Sequence, residues 1–336
     1  MTKLFGVYIA ICVLLLPLVV TAQHECNSKA RAKGERKTTV AAPEEHDYDI
    51  KGLKFDIEMT NTSTAVSGNV ITYARTNIAG FTDYVFELDN LLTLDSVKIN
   101  NQLVNSSNIT TIGAVRRIAL TNPLAVNTDF TAQVFYHGQT PSGNGQFFTG
   151  GLNYVKLGNS INMVYSLSDP YFADDWWPCK QSLTDKIDSV AMWITVDDTL
   201  KAGCNGLLQK VTALPGNKSR FEWKTNYPID YYLIAVAVAP YKEYNYYMHF
   251  TDGSGDSMLV QNFVYDSAAF LTPVTKGYID STGNTIDYFS KLFGRYPFHL
   301  EKYGHCITEL GGGMEHQTMT FMSRQYISPT LIAHEL

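Results

Sequence analysis

Cysteine is scarce in this chain, with five residues among 336, and their spacings match no zinc-ribbon or disulfide-scaffold pattern. Small proteins that depend on disulfides for their stability are therefore excluded as a class. Cys12 lies in an apolar N-terminal stretch, which leaves Cys26, Cys179, Cys204 and Cys306 if that stretch is removed. We favour buried free thiols for these four, and Cys179–Cys204 is the pair that we would choose if a disulfide forms.

Basic residues are in the minority, with 26 Lys and Arg against 32 Asp and Glu, for a net charge of −6. No basic stripe with interleaved aromatic residues is present, so we expect no nucleic-acid partner. Internal repeats are absent as well. A composition that is 45% hydrophobic and 12% aromatic is that of a globular protein, and the length leaves room for two domains.

Long apolar runs are lacking except at the N-terminus, where residues 4–20 are apolar and follow the short basic segment Met1–Lys3. Small residues at 20–22 complete the pattern of a signal peptide, which we predict over residues 1–22. A retained membrane anchor is the alternative, but it would need a longer apolar span. We therefore expect an exported protein, periplasmic, at the cell surface or extracellular, with no stable membrane span after cleavage.

Residues 23–46 are polar, charged and without periodicity, and they predict a disordered leader. From residue 47 to 262 the chain shows many short segments in which apolar and polar residues alternate, separated by turn residues such as Asn100-Asn101. Residues 232–238 are continuously apolar and predict a buried strand. Almost no helical pattern is present in residues 47–262, so the sequence of this part predicts an antiparallel β sandwich or saddle domain.

Residues 263–336 follow a different pattern. Apolar residues recur near helical spacing from Pro273 to Phe293, and Gly294 follows as a helix stop. A short strand is predicted over 302–310, followed by three glycines and by a second helix that starts at Ser328. The fold class is therefore mostly β with a partial α/β part.

Two short motifs carry the chemistry of this second part. The first is the segment Gly311–His316, with the sequence GGGMEH, and the second is the pair His334-Glu335 near the end of the chain. A His-Glu pair on a helix is how the zinc-hydrolase signature H-E-x-x-H begins. Taken alone, such a pair could equally be an ordinary polar pair on a helix surface. We interpret the sequence as truncated within the motif, one residue after Glu335.

Together, GGGMEH and the His-Glu pair nineteen positions after Glu315 resemble the zinc aminopeptidases of the aminopeptidase N family, including the leukotriene-hydrolase branch. Members carry G-x-M-E-N shortly before H-E-x-x-H, and here His316 replaces the Asn. The resemblance covers residues 47–336. It implies an N-terminal β domain at 47–262, followed at 263–336 by the opening of a thermolysin-like catalytic domain.

The resemblance implies a Zn²⁺ cofactor, for which His334 is the metal ligand present in this sequence. The second His and a third ligand would follow beyond Leu336. Glu335 is implied as the general base, which removes a proton from the water that attacks the first peptide carbonyl. A fragment with one ligand is expected to be inactive on its own.

The glycine motif is implied to bind the substrate. Gly311, Gly312 and Gly313, with Met314, would offer a strand edge along which a peptide backbone can pair closely. Glu315 would hold the free α-ammonium of the peptide, which makes the enzyme an exopeptidase. The alternative for Glu315 is a solvated surface acid without this role.

A second carboxylate is implied by the segment Ser168–Lys180, which resembles the stretch where relatives have Glu or Gln before Pro and Ala-Arg. By that match Asp169 takes the position of an amine-binding acid, while Asp174 stands where the Arg usually is. The alternative is that Asp169 only forms an Asp-Pro turn. Trp176 and Trp177 are interpreted as core at a domain interface rather than as a substrate platform.

The sequence thus predicts a secreted zinc metallo-aminopeptidase whose partners are peptides with a free N-terminus. Two alternatives stay open. One is an inactive β module that binds peptide or glycan, and the other is a zinc endopeptidase that lacks the amine-binding acid.

Overall fold

The computed structural model describes residues 42–141, 150–158 and 161–336. The predicted signal peptide at 1–22 and most of the predicted leader lie outside these residues. The end of the leader differs from the prediction, because Pro43–Asp47 form a 3₁₀ helix in which Glu45 is fully buried. Among the described residues, no helix is both long and apolar enough to cross a membrane.

The described residues form twenty strands and two α-helices. The strands are β1 (Tyr48–Met59), β2 (Ala65–Thr76), β3 (Phe81–Glu87), β4 (Leu92–Ile99), β5 (Gln102–Leu103), β6 (Ile109–Ile112), β7 (Val115–Leu124), β8 (Asp129–Gln139), β9 (Leu152–Leu157), β10 (Ile161–Ser166), β11 (Val190–Asp197), β12 (Lys201–Cys204), β13 (Leu207–Leu214), β14 (Lys218–Thr225), β15 (Val236–Ala239), β16 (Tyr241–His249), β17 (Ser257–Tyr265), β18 (Lys302–Thr308), β19 (Gly313–Met314) and β20 (Thr320–Ser323). The helices are α1 (Pro273–Phe293) and α2 (Pro329–Glu335).

Three sheets make up the predicted β domain. The largest has the strand order β13-β14-β11-β1-β2-β8-β4-β5, and the smaller ones are β12-β15-β10-β9 and β3-β7-β6. The mostly β class and the antiparallel character are confirmed, with one exception in the largest sheet, where β1 and β11 pair in parallel. The β4–β5 hairpin turns at Asn100 and Asn101 as predicted, and both have positive φ (49° and 65°), as a tight hairpin turn requires.

A fourth sheet has the order β16-β17-β18-β20-β19 and contains Gly313 and Met314 of the glycine motif. β17 pairs antiparallel with β16 and parallel with β18, and β18 pairs parallel with β20. The domain boundary predicted at residue 262 falls inside β17, so this sheet joins residues from both sides of it.

The interior is one continuous apolar cluster that extends from the β domain into the fourth sheet. Trp176 and Trp177 are fully buried and pack on Phe55 of β1, with ring centroids 5.8 and 5.1 Å away. They are therefore core residues, as predicted, although they pack within the β domain. Three cysteines in the described part, at positions 179, 204 and 306, are buried free thiols, which agrees with the favoured interpretation.

Helix α1 has the bounds that the sequence predicts. The Thr272 side chain accepts a hydrogen bond from the Thr275 N–H (3.2 Å), Pro273 is the first helical residue, and Gly294 ends the helix at φ 98°. Buried Ile279 and Ile286 turn one face of the helix towards the sheet. The continuously apolar segment at 232–238 differs from the predicted strand. Tyr231–Leu233 form a 3₁₀ helix, and the strand β15 begins only at Val236.

Candidate active site

Helix α2 presents the His-Glu pair at its last turn. Ser328 caps the helix by accepting a hydrogen bond from the Leu331 N–H (3.1 Å), and Pro329 is its first residue. His334 and Glu335, being adjacent, point to different sides of the helix. The His334 imidazole is exposed to solvent, whereas Glu335 is buried.

The glycine motif forms the edge of the fourth sheet. Gly313 and Met314 make up β19, which pairs antiparallel with Met322 and Phe321 of β20. The Ser323 N–H also donates to the Gly312 carbonyl (2.8 Å). β19 is last in the strand order, and within the described ranges no further strand pairs with its outer edge. That edge offers unpaired backbone groups to an extended peptide.

Glu335 lies directly against this edge strand. A Cβ atom added to Gly313 would be 2.4 Å from Glu335 Cδ and 2.5 Å from its Oε1, so only glycine permits the approach. The Tyr303 hydroxyl lies close by and hydrogen-bonds the Thr320 hydroxyl (2.9 Å). Burial raises the pKa of Tyr303, and the charge of Glu335 raises it further. The structure thus brings Glu335 and Gly313, which are far apart in sequence, into contact.

Glu315 and Asp169 share a neighbour. Glu315 is exposed just after β19, and Asp169 is half-buried in a turn with φ 23°. Burial raises the pKa of the Tyr232 phenol, and the charges of Asp230, Glu315 and Asp169 raise it further. The charges of both predicted amine-binding acids therefore reach the same phenol.

The local geometry of Asp169 agrees with the turn that was the alternative interpretation. The Phe172 N–H donates to the carbonyls of Ser168 (3.1 Å) and Asp169 (3.2 Å), which closes the turn. The turn nevertheless places the carboxylate within electrostatic reach of Tyr232. Turn formation and a place near the predicted site are therefore compatible.

Asp174, which stands at the position of the usual Arg, is buried in a short 3₁₀ helix. Its carbonyl accepts a hydrogen bond from the Asp89 N–H (2.9 Å). Burial lowers the pKa of Arg116 on β7, and the charges of Asp89 and Asp174 oppose that shift. A basic residue does approach Asp174, but it comes from a distant strand that the motif comparison could not identify.

Two buried basic residues lie near the glycine motif. His316 was named from the sequence only as the replacement of an Asn, and Lys302 was not considered. His316 packs its ring on Phe321, with centroids 4.4 Å apart, and burial lowers its pKa to about 3, so it is neutral. Lys302 is fully buried, and burial lowers its pKa to about 7. Its ammonium donates to the carbonyls of Thr318 (2.9 Å) and Cys204 (3.3 Å). No signal in the sequence indicated the burial of Lys302, which follows Glu301 at the start of β18.

The imidazole of His334 on α2 is a type of ligand that zinc binds. The described residues do not supply a complete set of zinc ligands around it. Among residues 42–141, 150–158 and 161–336, no three His, Cys, Asp or Glu side chains are grouped so as to hold a metal. A catalytic zinc takes three protein ligands and keeps one open position. His334 supplies one accessible imidazole beside the Glu335 carboxylate, which is one part of such a site.

Solved structures share this fold. The M1 zinc metallopeptidase from Deinococcus radiodurans superposes with a TM-score of 0.72 at 18% identity, covering 86% of this chain and 63% of that protein. A mutant of it bound to a Tyr-Ser-Ala substrate gives 0.71 at 17% identity, covering 86% and 64%. Yeast LTA4 hydrolase gives 0.66 at 17% identity, covering 96% and 47%. No protein-family model matches the chain, and no curated protein matches it by sequence.

The chain therefore has the fold of the M1 zinc metallopeptidases, the fold that the motif resemblance implied. It spans less than two thirds of the length of these structural relatives.

Proposed function

We propose that the full-length protein is a zinc metallo-aminopeptidase that removes N-terminal residues from peptides. The observation that carries the proposal is the contact between Glu335 and Gly313, because it sets a carboxylate against a strand edge that a peptide can join. Glu315 directly follows that strand, so the acid proposed to bind the ammonium and the proposed base both adjoin the same edge strand.

In this proposal, each group of site residues has a separate role in peptide hydrolysis. The outer edge of β19, preceded by Gly311 and Gly312, pairs with the substrate backbone and fixes its direction. Glu335, which is buried and so partly shielded from water, receives a proton from the attacking water and passes it to the leaving amine. Zinc, when held by His334 and two further ligands, would polarise the scissile carbonyl and lower the pKa of water.

Specificity for free N-termini follows from the acids around Tyr232. Glu315 and Asp169 are two negative charges near one position, and a substrate ammonium reduces their mutual repulsion when it binds. An internal stretch of peptide offers a neutral amide there instead. The same two acids therefore favour an aminopeptidase over an endopeptidase.

The test compares peptides with free and N-acetylated termini, using full-length zinc-loaded protein. We expect the wild type to cleave only the peptide with a free N-terminus. In Glu315→Gln, we expect the KM for that peptide to rise on the order of 10- to 100-fold, because a hydrogen bond to a charged group is lost. Glu58→Gln, which changes an exposed glutamate on β1, is the matched control and should leave KM unchanged.

Other outcomes separate the alternatives. Equal cleavage of acetylated peptides would identify an endopeptidase. Peptide binding without turnover in the zinc-loaded protein would identify a binding module and overturn the proposal.

A further inference from the structure

The turn that follows Glu315 is held by three hydrogen bonds, and two of them come from the β domain. Asn205 Nδ2 donates to the Gln317 carbonyl (2.7 Å), and the Gly206 N–H donates to Thr318 Oγ1 (2.7 Å). The third comes from the fourth sheet, where Lys302 Nζ at the start of β18 donates to the Thr318 carbonyl (2.9 Å). Asn205 and Gly206 link β12 to β13, so a corner of the β domain holds the loop that follows the proposed amine-binding acid.

The backbone of this turn needs such support. Thr318 has φ 66°, a left-handed conformation that is costly for a β-branched residue. Conformations of this kind persist only where neighbouring contacts over-determine them, and they concentrate at functional sites. The side chain and the carbonyl of Thr318 both accept hydrogen bonds from residues outside the turn. These residues therefore stabilise the strained conformation.

Asn205 also contacts the segment 233–235, which adjoins a residue that holds the turn of the second acid. Its Nδ2 donates to the Leu233 carbonyl (3.0 Å), and its Oδ1 accepts from the Ala235 N–H (2.7 Å). The adjoining 3₁₀ helix contains Tyr231, whose hydroxyl accepts from the Tyr171 N–H in the Asp169 turn (3.2 Å). One buried amide therefore connects the loop after Glu315 to the segment that contacts the turn of Asp169.

We propose that Asn205 is a positioning residue that sets the distance between Glu315 and Asp169, and thereby the fit of a peptide's terminal ammonium. The inference rests on the proposed aminopeptidase function. Asparagine is suited to the task because a single side chain must donate to two carbonyls and accept from one N–H. Aspartate has the same shape, but it would turn an oxygen towards both carbonyls.

The experiment compares wild type, Asn205→Ala, Asn205→Asp and Asn262→Ala in the full-length zinc-loaded protein. Asn262 is the matched control, because it is equally buried and donates to the Tyr244 carbonyl (2.7 Å). KM and kcat are measured on a free-N-terminus peptide, and amide hydrogen exchange is followed over residues 315–319. We expect both Asn205 variants to raise KM on the order of tenfold while kcat changes by less than about twofold, with faster exchange over 315–319.

Thr318→Val is a second route to the same turn should the Asn205 variants fail to fold. It removes the acceptor of the Gly206 N–H and leaves the segment at Leu233 untouched, so KM and exchange should shift in the same direction. Unchanged KM and unchanged exchange in the folded variants would overturn the proposal. So would a loss of kcat and a gain in exchange equal to those of Asn262→Ala.

Failure of the aminopeptidase function gives a different result. The wild type would then fail to distinguish free from acetylated peptides. The exchange measurement alone would then decide whether Asn205 holds the turn.

Discussion

At the scale of single residues, Gly313 decides where the proposed base can lie. Gly313→Ala would place a methyl group 2.4 Å from Glu335 Cδ, a distance that real atoms do not tolerate, so the carboxylate must move. We expect kcat to fall on the order of 10- to 100-fold, because a shift of about 1 Å in a reacting group is that costly. The melting temperature should change little, since a flexible carboxylate rather than backbone gives way.

Gly277→Ala is the control for this substitution. Gly277 lies in α1 with open space around it, and alanine there should leave activity unchanged and stabilise the helix by up to about 1 kcal/mol. If Gly313→Ala kept wild-type kcat, Glu335 would not be the base that this geometry describes.

The motifs named residues that the structure brings together, but they could not predict the surroundings of these residues. Two short patterns were enough to associate Gly313 with Glu335, and the structure places them in contact. The sequence could not show that Glu315 is exposed while Glu335 is buried, because burial depends on which faces the fold turns inwards. Asn205 carried no motif at all, because its partners come from two distant segments, 233–235 and the turn at Gln317.

At the scale of elements, we expect the cap of α2 to link folding to the proposed binding of zinc by His334. Ser328→Ala removes the acceptor for the Leu331 N–H and should cost about 1 kcal/mol in the free energy of unfolding. In a helix of seven residues that loss loosens the turn that carries His334. We therefore expect zinc affinity of the full-length protein to fall several-fold, measured by competition with a chromogenic chelator.

Thr272→Ala is the matched variant, because Thr272 caps α1 through the same kind of bond to the Thr275 N–H. It should cost a similar amount of stability and leave zinc affinity unchanged. Equal zinc affinities in the two variants would show that the cap of α2 has no part in metal binding.

Elements whose signals are local were predicted with correct bounds, and elements that depend on distant partners were not. α1 has its cap, its first-turn proline and its terminal glycine within one segment, and the structure has the predicted ends. The parallel pairing of β1 with β11 joins segments more than a hundred residues apart, which alternation of apolar residues cannot reveal. The prediction of a buried strand over 232–238 was wrong for its first residues, since Tyr232 and Leu233 are half-buried in a 3₁₀ helix. A short apolar run does not distinguish the two conformations.

At the scale of the whole molecule, a buried acid holds the start of the described chain against the β domain. Glu45 Oε2 accepts from the Gln181 N–H (3.2 Å), and Glu87 and Asp174 lie close enough to repel its charge. The sequence predicted a disordered leader here because its composition is polar. Composition cannot show that a carboxyl group finds a buried place on a distant loop.

This acid predicts how stability depends on pH. Burial, with the charge of Glu87 next, raises the pKa of Glu45 from its ordinary value of 4.5 to about 8. Between these values the folded chain keeps a proton that the unfolded chain releases. The stability contribution is therefore complete below about pH 4.5 and is lost as the pH rises to about 8, by at most about 1.4 kcal/mol per pH unit.

Glu45→Gln carries no proton to release, so its free energy of unfolding should lack this decline and exceed that of wild type increasingly up to about pH 8. Urea unfolding of the full-length protein between pH 5 and about 9 measures the difference. Glu44→Gln is the neighbouring control: the hydrogen bond from Arg117 lowers the pKa of Glu44, so its stabilisation is lost only as the pH falls. That variant should keep the wild-type decline, and parallel curves for wild type and Glu45→Gln would show that Glu45 is not the group responsible.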